Sequence, residues 1–253
     1  MVEMTEYTPG TPSWVDVSTP DMGATKAFYG GLFGWEAMSF PEMGGYTNFT
    51  ANGKLVCGAA PTMSADQHPA WSTYISVDDA DATTQAVRDN GGQVIAPPMD
   101  VTELGRMAIC TDSTGAFFGL WQPGTHKGAQ LVNEPESFCW NELDTRDMEA
   151  AKAFYTKVFP WNAKTNGEGA DAYTEWQLNG RSIAGGMVMG EQFPTDVPPN
   201  WLTYFSVTDS DATVAKVKEL GGTVMMSGMD TGQGRVAIVA DPHGAVFAVI
   251  QMK

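Results

Sequence analysis

The stretch WVDVSTPDMGATKAFYGGLFGW, residues 14–35, returns 126 positions later as WNELDTRDMEAAKAFYTKVFPW, residues 140–161. Asp21/Asp147, Met22/Met148, Lys26/Lys152, Phe28/Phe154, Tyr29/Tyr155, Phe33/Phe159 and Trp35/Trp161 all fall on that shift without a gap. Chance does not produce such a run, so the chain is an internal duplication and whatever fold it adopts must be specified twice. Later landmarks repeat as well. Trp71 is answered by Trp201, Gly91-Gly92 by Gly221-Gly222, Gly105-Arg106 by Gly234-Arg235, and residues 112–115 by 241–244. The shift grows there to 129 or 130, which small loop insertions explain.

Within each half the elements alternate. Residues 14–18 alternate as a strand, and Asp21 caps a following helix that Gly34 ends. Residues 46–50 and 54–60 read as strands joined by an Asn52-Gly53 hairpin turn. Residues 63–69 form a polar loop and 73–77 a strand. Residues 78–90 form a helix that opens on Asp and closes on Gly91-Gly92. Strands at 93–97, 107–111 and 117–122 follow, with a tight turn at 112–115. Each half is therefore two βαβββ modules, and the chain holds four. The expected division is a first domain at 1–122, a linker at 123–136 and a second domain at 137–253.

Composition narrows the function. Fourteen basic against thirty acidic residues give a net charge of −16, which repels phosphate backbones and argues against a nucleic-acid partner. No apolar run approaches the roughly 20 residues that cross a bilayer, and the N-terminal residues lack the basic-then-apolar order of a secretory signal. Three scattered cysteines, Cys57, Cys110 and Cys139, fit a reducing cytoplasm and small buried side chains rather than a disulfide framework. The expectation is a cytoplasmic protein, a monomer or homodimer, with no membrane partner. The Met225, Met226 and Met229 cluster suits either an adaptable surface or core packing, of which core packing is the simpler reading.

Four modules carrying Asp21…Phe28-Tyr29, Asp147…Phe154-Tyr155, Asp112-Ser113-Thr114-Gly115 and Asp241-Pro242-His243-Gly244 resemble the vicinal oxygen chelate superfamily. That superfamily comprises glyoxalase I, extradiol dioxygenases and bleomycin-resistance proteins. The chain also resembles a two-repeat group labelled 27-kDa antigen or hydroxylase. The resemblance implies an α+β fold of tandem βαβββ modules in two curved, partly open eight-stranded sheets with helices outside, each sheet wrapping a cleft. Whether the modules of one half pair, or one from each half, is left open by the sequence.

The resemblance also implies a metal site, and the chain departs from it. The family's ligand positions fall on Trp14, Ser72 and Gly119, with a fourth near Gly58. In the second half they fall on Trp140, Leu202 and Ala248, with the fourth near Gly186. Trp, Leu, Gly and Ala cannot ligate an ion through their side chains, and Ser does so poorly. His68, His126 and His243 lie in loops or turns and read as solvated. No metal and no cofactor is expected. Strand alternation puts Trp14, Asp16, Tyr74, Gly119 and Trp121 on one inner face, and Trp140, Glu142 and Tyr204 on the other. Rings beside glycine describe either core filling or a slot for a small, largely apolar or aromatic metabolite or antibiotic, with Gly119 leaving room between Trp14 and Trp121. Asp16 and Glu142 are costly to bury alone. Arg106 and Arg235 are candidates to pair with them or to touch ligand. The carboxylates could equally be acid–base groups of a glyoxalase-type lyase or a hydroxylase-associated enzyme.

Overall fold

In the computed structural model, which describes residues 3–169, 172–191 and 193–253, the four modules are all present. The first half consists of β1 (Pro12–Thr19), α1 (Met22–Phe33), β2 (Glu36–Phe40), β3 (Tyr46–Ala51) and β4 (Lys54–Pro61), then β5 (Ala70–Ser76), α2 (Ala80–Asp89), β6 (Gln93–Val101), β7 (Gly105–Thr111) and β8 (Phe117–Pro123). The second half repeats this order. Its first module is β9 (Phe138–Thr145), α3 (Met148–Val158), β10 (Asn162–Asn166), β11 (Tyr173–Leu178) and β12 (Arg181–Val188). Its second is β13 (Asn200–Ser206), α4 (Ser210–Glu219), β14 (Thr223–Asp230), β15 (Gly234–Ala240) and β16 (Val246–Met252).

The pairing question is settled in favour of modules within one half. The first sheet runs β2-β3-β4-β1-β5-β8-β7-β6 and the second β10-β11-β12-β9-β13-β16-β15-β14. Each is a mixed eight-stranded sheet joined at its centre by an antiparallel seam, β1 with β5 and β9 with β13. The helix caps follow the expected chemistry. Asp21 accepts from Ala24 N at 3.0 Å, and Gly34 ends α1 at φ 71°, where only glycine is unstrained. Asp147, Asp79 and Asp209 cap the other three helices in the same way.

Three strands differ from the sequence expectation. Strands β2 and β10 lie at the sheet edges and are mostly solvated, so they carry no apolar alternation to reveal them. Strand β6 continues through Pro97 and Pro98 to Val101, because it too is an edge, with register shifts between Val94 and Met99 that absorb the missing N–H groups.

The sheets turn their outer faces toward each other, and the cores are shared across the duplication. One core joins Val15, Val17, Phe28, Tyr29 and Phe33 of the first module to Phe205, Val217 and Phe247 of the last. The other joins Ile75, Val87, Phe118 and Leu120 to Leu143, Phe154, Tyr155 and Trp201. The sequence landmarks turn out to be staples between the halves. Tyr29 Oη donates to Asp241 Oδ2 at 3.2 Å and accepts from Trp71 Nε1 at 3.0 Å. Tyr155 accepts from Trp201 Nε1 at 2.9 Å and lies close to the Asp112 carboxylate. Trp161 Nε1 reaches back to Gly10 O at 2.7 Å. The residues after β8 do not hang as a tether. Ala129 N donates to Ser13 O, and Gln130 and Leu131 donate to Leu55 O. Among the described residues no helix is long and apolar enough to cross a membrane.

Candidate functional site

Strand register fixes which side chains face each cleft, because cross-strand partners share a face. Trp14 pairs with Tyr74 and Asp16 with Ser72 and Gly58, while Gly119 pairs with Tyr74 and Trp121 with Ser76. In the second sheet Trp140 pairs with Tyr204, Glu142 with Leu202 and Gly185, and Ala248 with Tyr204. The inner faces expected from alternation are thus the ones observed, with one correction of register. The fourth family position in the second half is Gly185, since Gly186 pairs with Leu143 and faces the outer core.

The first cleft is filled by its own side chains. Tyr46 Oη donates to Asp16 Oδ2 at 3.1 Å and accepts from Trp14 Nε1 at 2.9 Å. Tyr74 also bonds the Asp16 carboxylate. Burial pushes Asp16 up to about 6 despite both phenols. The space above Gly119 is not open for a ligand, as the sequence suggested, because the Tyr74 ring lies against the glycine Cα. The gap between Trp14 and Trp121 is taken by His126, edge-on to both at ring separations of 4.5 and 5.4 Å. His126 is therefore not a solvated loop histidine. Burial pushes its pKa down to about 4, so the ring is neutral at neutral pH. Exposed His68 fits the expectation, and His243 is half-buried in the turn closed by Asp241.

The second cleft repeats the phenol–carboxylate motif but is built differently. Tyr204 Oη donates to Glu142 Oε1 at 2.8 Å, Tyr173 bonds the same carboxylate, and Trp140 Nε1 donates to Tyr173 Oη at 2.9 Å. Trp140 and Tyr204 are half-buried where their counterparts Trp14 and Tyr74 are buried, whereas Tyr173 and its counterpart Tyr46 are both half-buried. Ile250 stands where Trp121 stands in the first half, and Asp144 stands where Ser18 does. Asp144 is 4% exposed, and its Oδ1 has no hydrogen-bond partner. Burial, and then the charge on Glu142, pushes Asp144 up to about 8, and burial raises Glu142 as well.

Arg106 and Arg235 do not belong to either cleft. Arg106 pairs across β7–β8 with Gln122, on the face opposite Trp121, and binds Asp81 at 2.8 Å and Asp100 at 2.8 Å. Arg235 binds Asp211 at 3.1 Å and Asp230 at 3.2 Å. These are partly exposed helix-to-strand ion pairs, so Asp16 and Glu142 are held by phenols instead. The sequence reading also missed the rims. Met99 is in register with Met107 and hence Trp121, Met38 with Asn48 and hence Gly58, and Met229 with Val236 and hence Ile250. Each is about half exposed, as is Phe117, which alternation puts on the face of Gly119. Met225 and Met229 are exposed rather than packed in the core. Large apolar groups left in solvent on a concave face are the usual edge of a ligand site.

The residues present do not fit the family's metal. Tyr46 and Tyr173 hydroxyls lie over Gly58 and Gly185, where a ligating side chain would project, and Trp14, Trp140, Leu202 and Ala248 offer no donor toward a shared centre. Among the described residues no group of three or more His, Cys, Asp or Glu converges to hold an ion. The cysteines are unreactive by environment: burial pushes Cys110 and Cys139 up to about 12 and Cys57 well above its usual range.

Residues 11–120 and 138–249 both match the model of the Glyoxalase/Bleomycin resistance protein/Dioxygenase superfamily, so the chain belongs to that family. It is 40% identical to the anthracycline biosynthesis protein DauV of Streptomyces sp. strain C5, over 99% of this chain and 96% of that one. It is 41% identical to "Putative glyoxylase CFP32" of Mycobacterium bovis, over 99% of this chain and 98% of that one. The Mn(II)-bound glyoxalase of Novosphingobium aromaticivorans superposes with a TM-score of 0.68 at 15% identity, covering 96% of this chain and 82% of that one, a likeness of fold.

Proposed function

We propose that this protein binds a small, largely apolar or aromatic metabolite or antibiotic in a sheet cleft, without a metal ion to hold it. It would act as a cytoplasmic monomer or homodimer built of glyoxalase-like domains at 1–122 and 137–253. The observation that carries this reading is the exchange of the family's metal ligands for rings and phenol-held carboxylates on a concave face rimmed by exposed methionines. The name of the Streptomyces relative points the same way, toward a fused-ring aromatic of the anthracycline kind. The test is fluorescence titration of the purified protein with such an aromatic, with and without a chelator. Saturable quenching of tryptophan emission that the chelator leaves unchanged is expected. Stoichiometric metal in the purified protein, or binding abolished by the chelator, overturns the reading.

A second reading has its own support. Asp16 and Glu142 are buried carboxyls with raised pKa values, which suits a proton donor in an acid–base enzyme of the lyase or hydroxylase-associated type. Under this reading Glu142→Gln abolishes turnover of a bound carbonyl or phenol while leaving its affinity intact.

A further inference from the structure

The duplication has produced two clefts that are not alike, and the difference lies in one carboxylate. In the first sheet the residue two positions after Asp16 is Ser18, whose Oγ bonds Ala70 O at 3.3 Å. In the second the equivalent residue is Asp144, buried on the same inner face as Glu142 and with Oδ1 unpartnered. Among the described residues no ion pair joins Glu142 or Asp144 to a cation. The nearby basic side chains are engaged elsewhere. Arg146 donates to the carbonyls of Pro194 and Val197, and Lys164 lies beside Glu175 at the edge of the sheet. Arg235 is tied to Asp211 and Asp230. A buried carboxylate oxygen without a donor is costly to keep, and a donor from outside the chain would offset that cost. Half-buried Tyr173 and Tyr204 lie near it.

We propose that the cleft of the second half is the one that takes ligand, and that Asp144 anchors it by accepting from a protonated amine carried on an aromatic body. This rests on the cleft-binding reading above and adds the site and the charge of the ligand. Glu142 is already committed to Tyr173 and Tyr204, which leaves Asp144 as the free acceptor, and an ammonium at that point compensates both carboxylates. The proton the pair holds at neutral pH is then released on binding. The groups facing the pair are Tyr173 and Tyr204, with Glu175 and Lys164 beyond them.

The test uses 9-aminoacridine, a cationic fused-ring dye, and 1-aminoanthracene, its neutral counterpart, titrated against the full chain and against Asp144→Asn and Asp144→Ser. Preference for the cation in the wild type is expected, with at least a tenfold loss of cation affinity in both variants and unchanged affinity for the neutral dye. Calorimetry of the wild type in buffers of different ionisation enthalpy is expected to show about one proton released with the cation and none with the neutral dye. Equal affinity for the two dyes in the wild type, or absence of proton release with the cation, overturns the anchor while leaving the cleft-binding reading intact. Failure of both dyes to bind all three proteins removes both readings.

Discussion

Replacing Asp16 by Asn isolates the cost of the first cleft's buried carboxylate. The unfolded chain ionises this group near 3.8, whereas the folded protein holds its proton to about 6. The folded state therefore binds the proton more tightly, and its advantage is complete below the lower value and lost as pH rises to the upper one. At about 1.4 kcal/mol for each tenfold change in proton affinity, the loss amounts to about 3 kcal/mol. Asparagine keeps an acceptor for Tyr46 and Tyr74 but does not titrate. Urea unfolding of both proteins at closely spaced pH values between about 4 and 8 gives the difference directly, and the contributions of Glu142 and Asp144 cancel in it. The variant is expected to gain about 3 kcal/mol relative to the wild type over that range, or roughly 6–12 °C in Tm for a chain of this size. A difference that stays flat with pH, or slopes the other way, refutes the reasoning. It would mean that the two phenols stabilise the anion by more than its desolvation costs.

His126→Ala removes the ring between Trp14 and Trp121, losing about 1–2 kcal/mol from two ring contacts; thermal unfolding reads the loss, and red-shifted tryptophan emission reads the opened cleft. Tyr29→Phe leaves Asp241 Oδ2 and Trp71 Nε1 without their shared partner, and a destabilisation of about 1–3 kcal/mol by chemical unfolding is expected. Each half expressed alone exposes the outer face that the other covers, so residues 1–136 and 137–253 are expected to aggregate separately and to give one chain-sized species on co-refolding, as judged by size-exclusion chromatography.

Much of this architecture could be read in the chain because its signals are local. A cap such as Asp21, a hairpin turn such as Asn52-Gly53 and the alternation of β1 and β9 act over a few residues, and the duplication supplied each of them twice. What escaped notice depends on distance. Tyr29 and Asp241 stand 212 positions apart, so nothing near either residue announces their bond. The partners of Asp16 were misjudged for a related reason. A buried carboxylate needs donors, and arginine is the obvious candidate from composition, yet the donors proved to be Tyr46 and Tyr74 across the inner face. His126 looked solvated because it follows the last strand of a half, and only the return of residues 129–131 onto β1 and β4 brings it over the cleft.

The same return path explains how a duplicated sequence yields unequal clefts. The residues after β8 must travel back to begin β9, and they do so bonded to Ser13 and Leu55, which lays His126 across the first inner face. In the second half Trp140, Tyr173 and Tyr204 keep part of their surface in water. Asp144 stands where Ser18 does, more buried than the serine and with one oxygen lacking a donor. The shared outer cores meanwhile fix both sheets against each other, so the two inner faces can diverge in sequence without either sheet losing its shape.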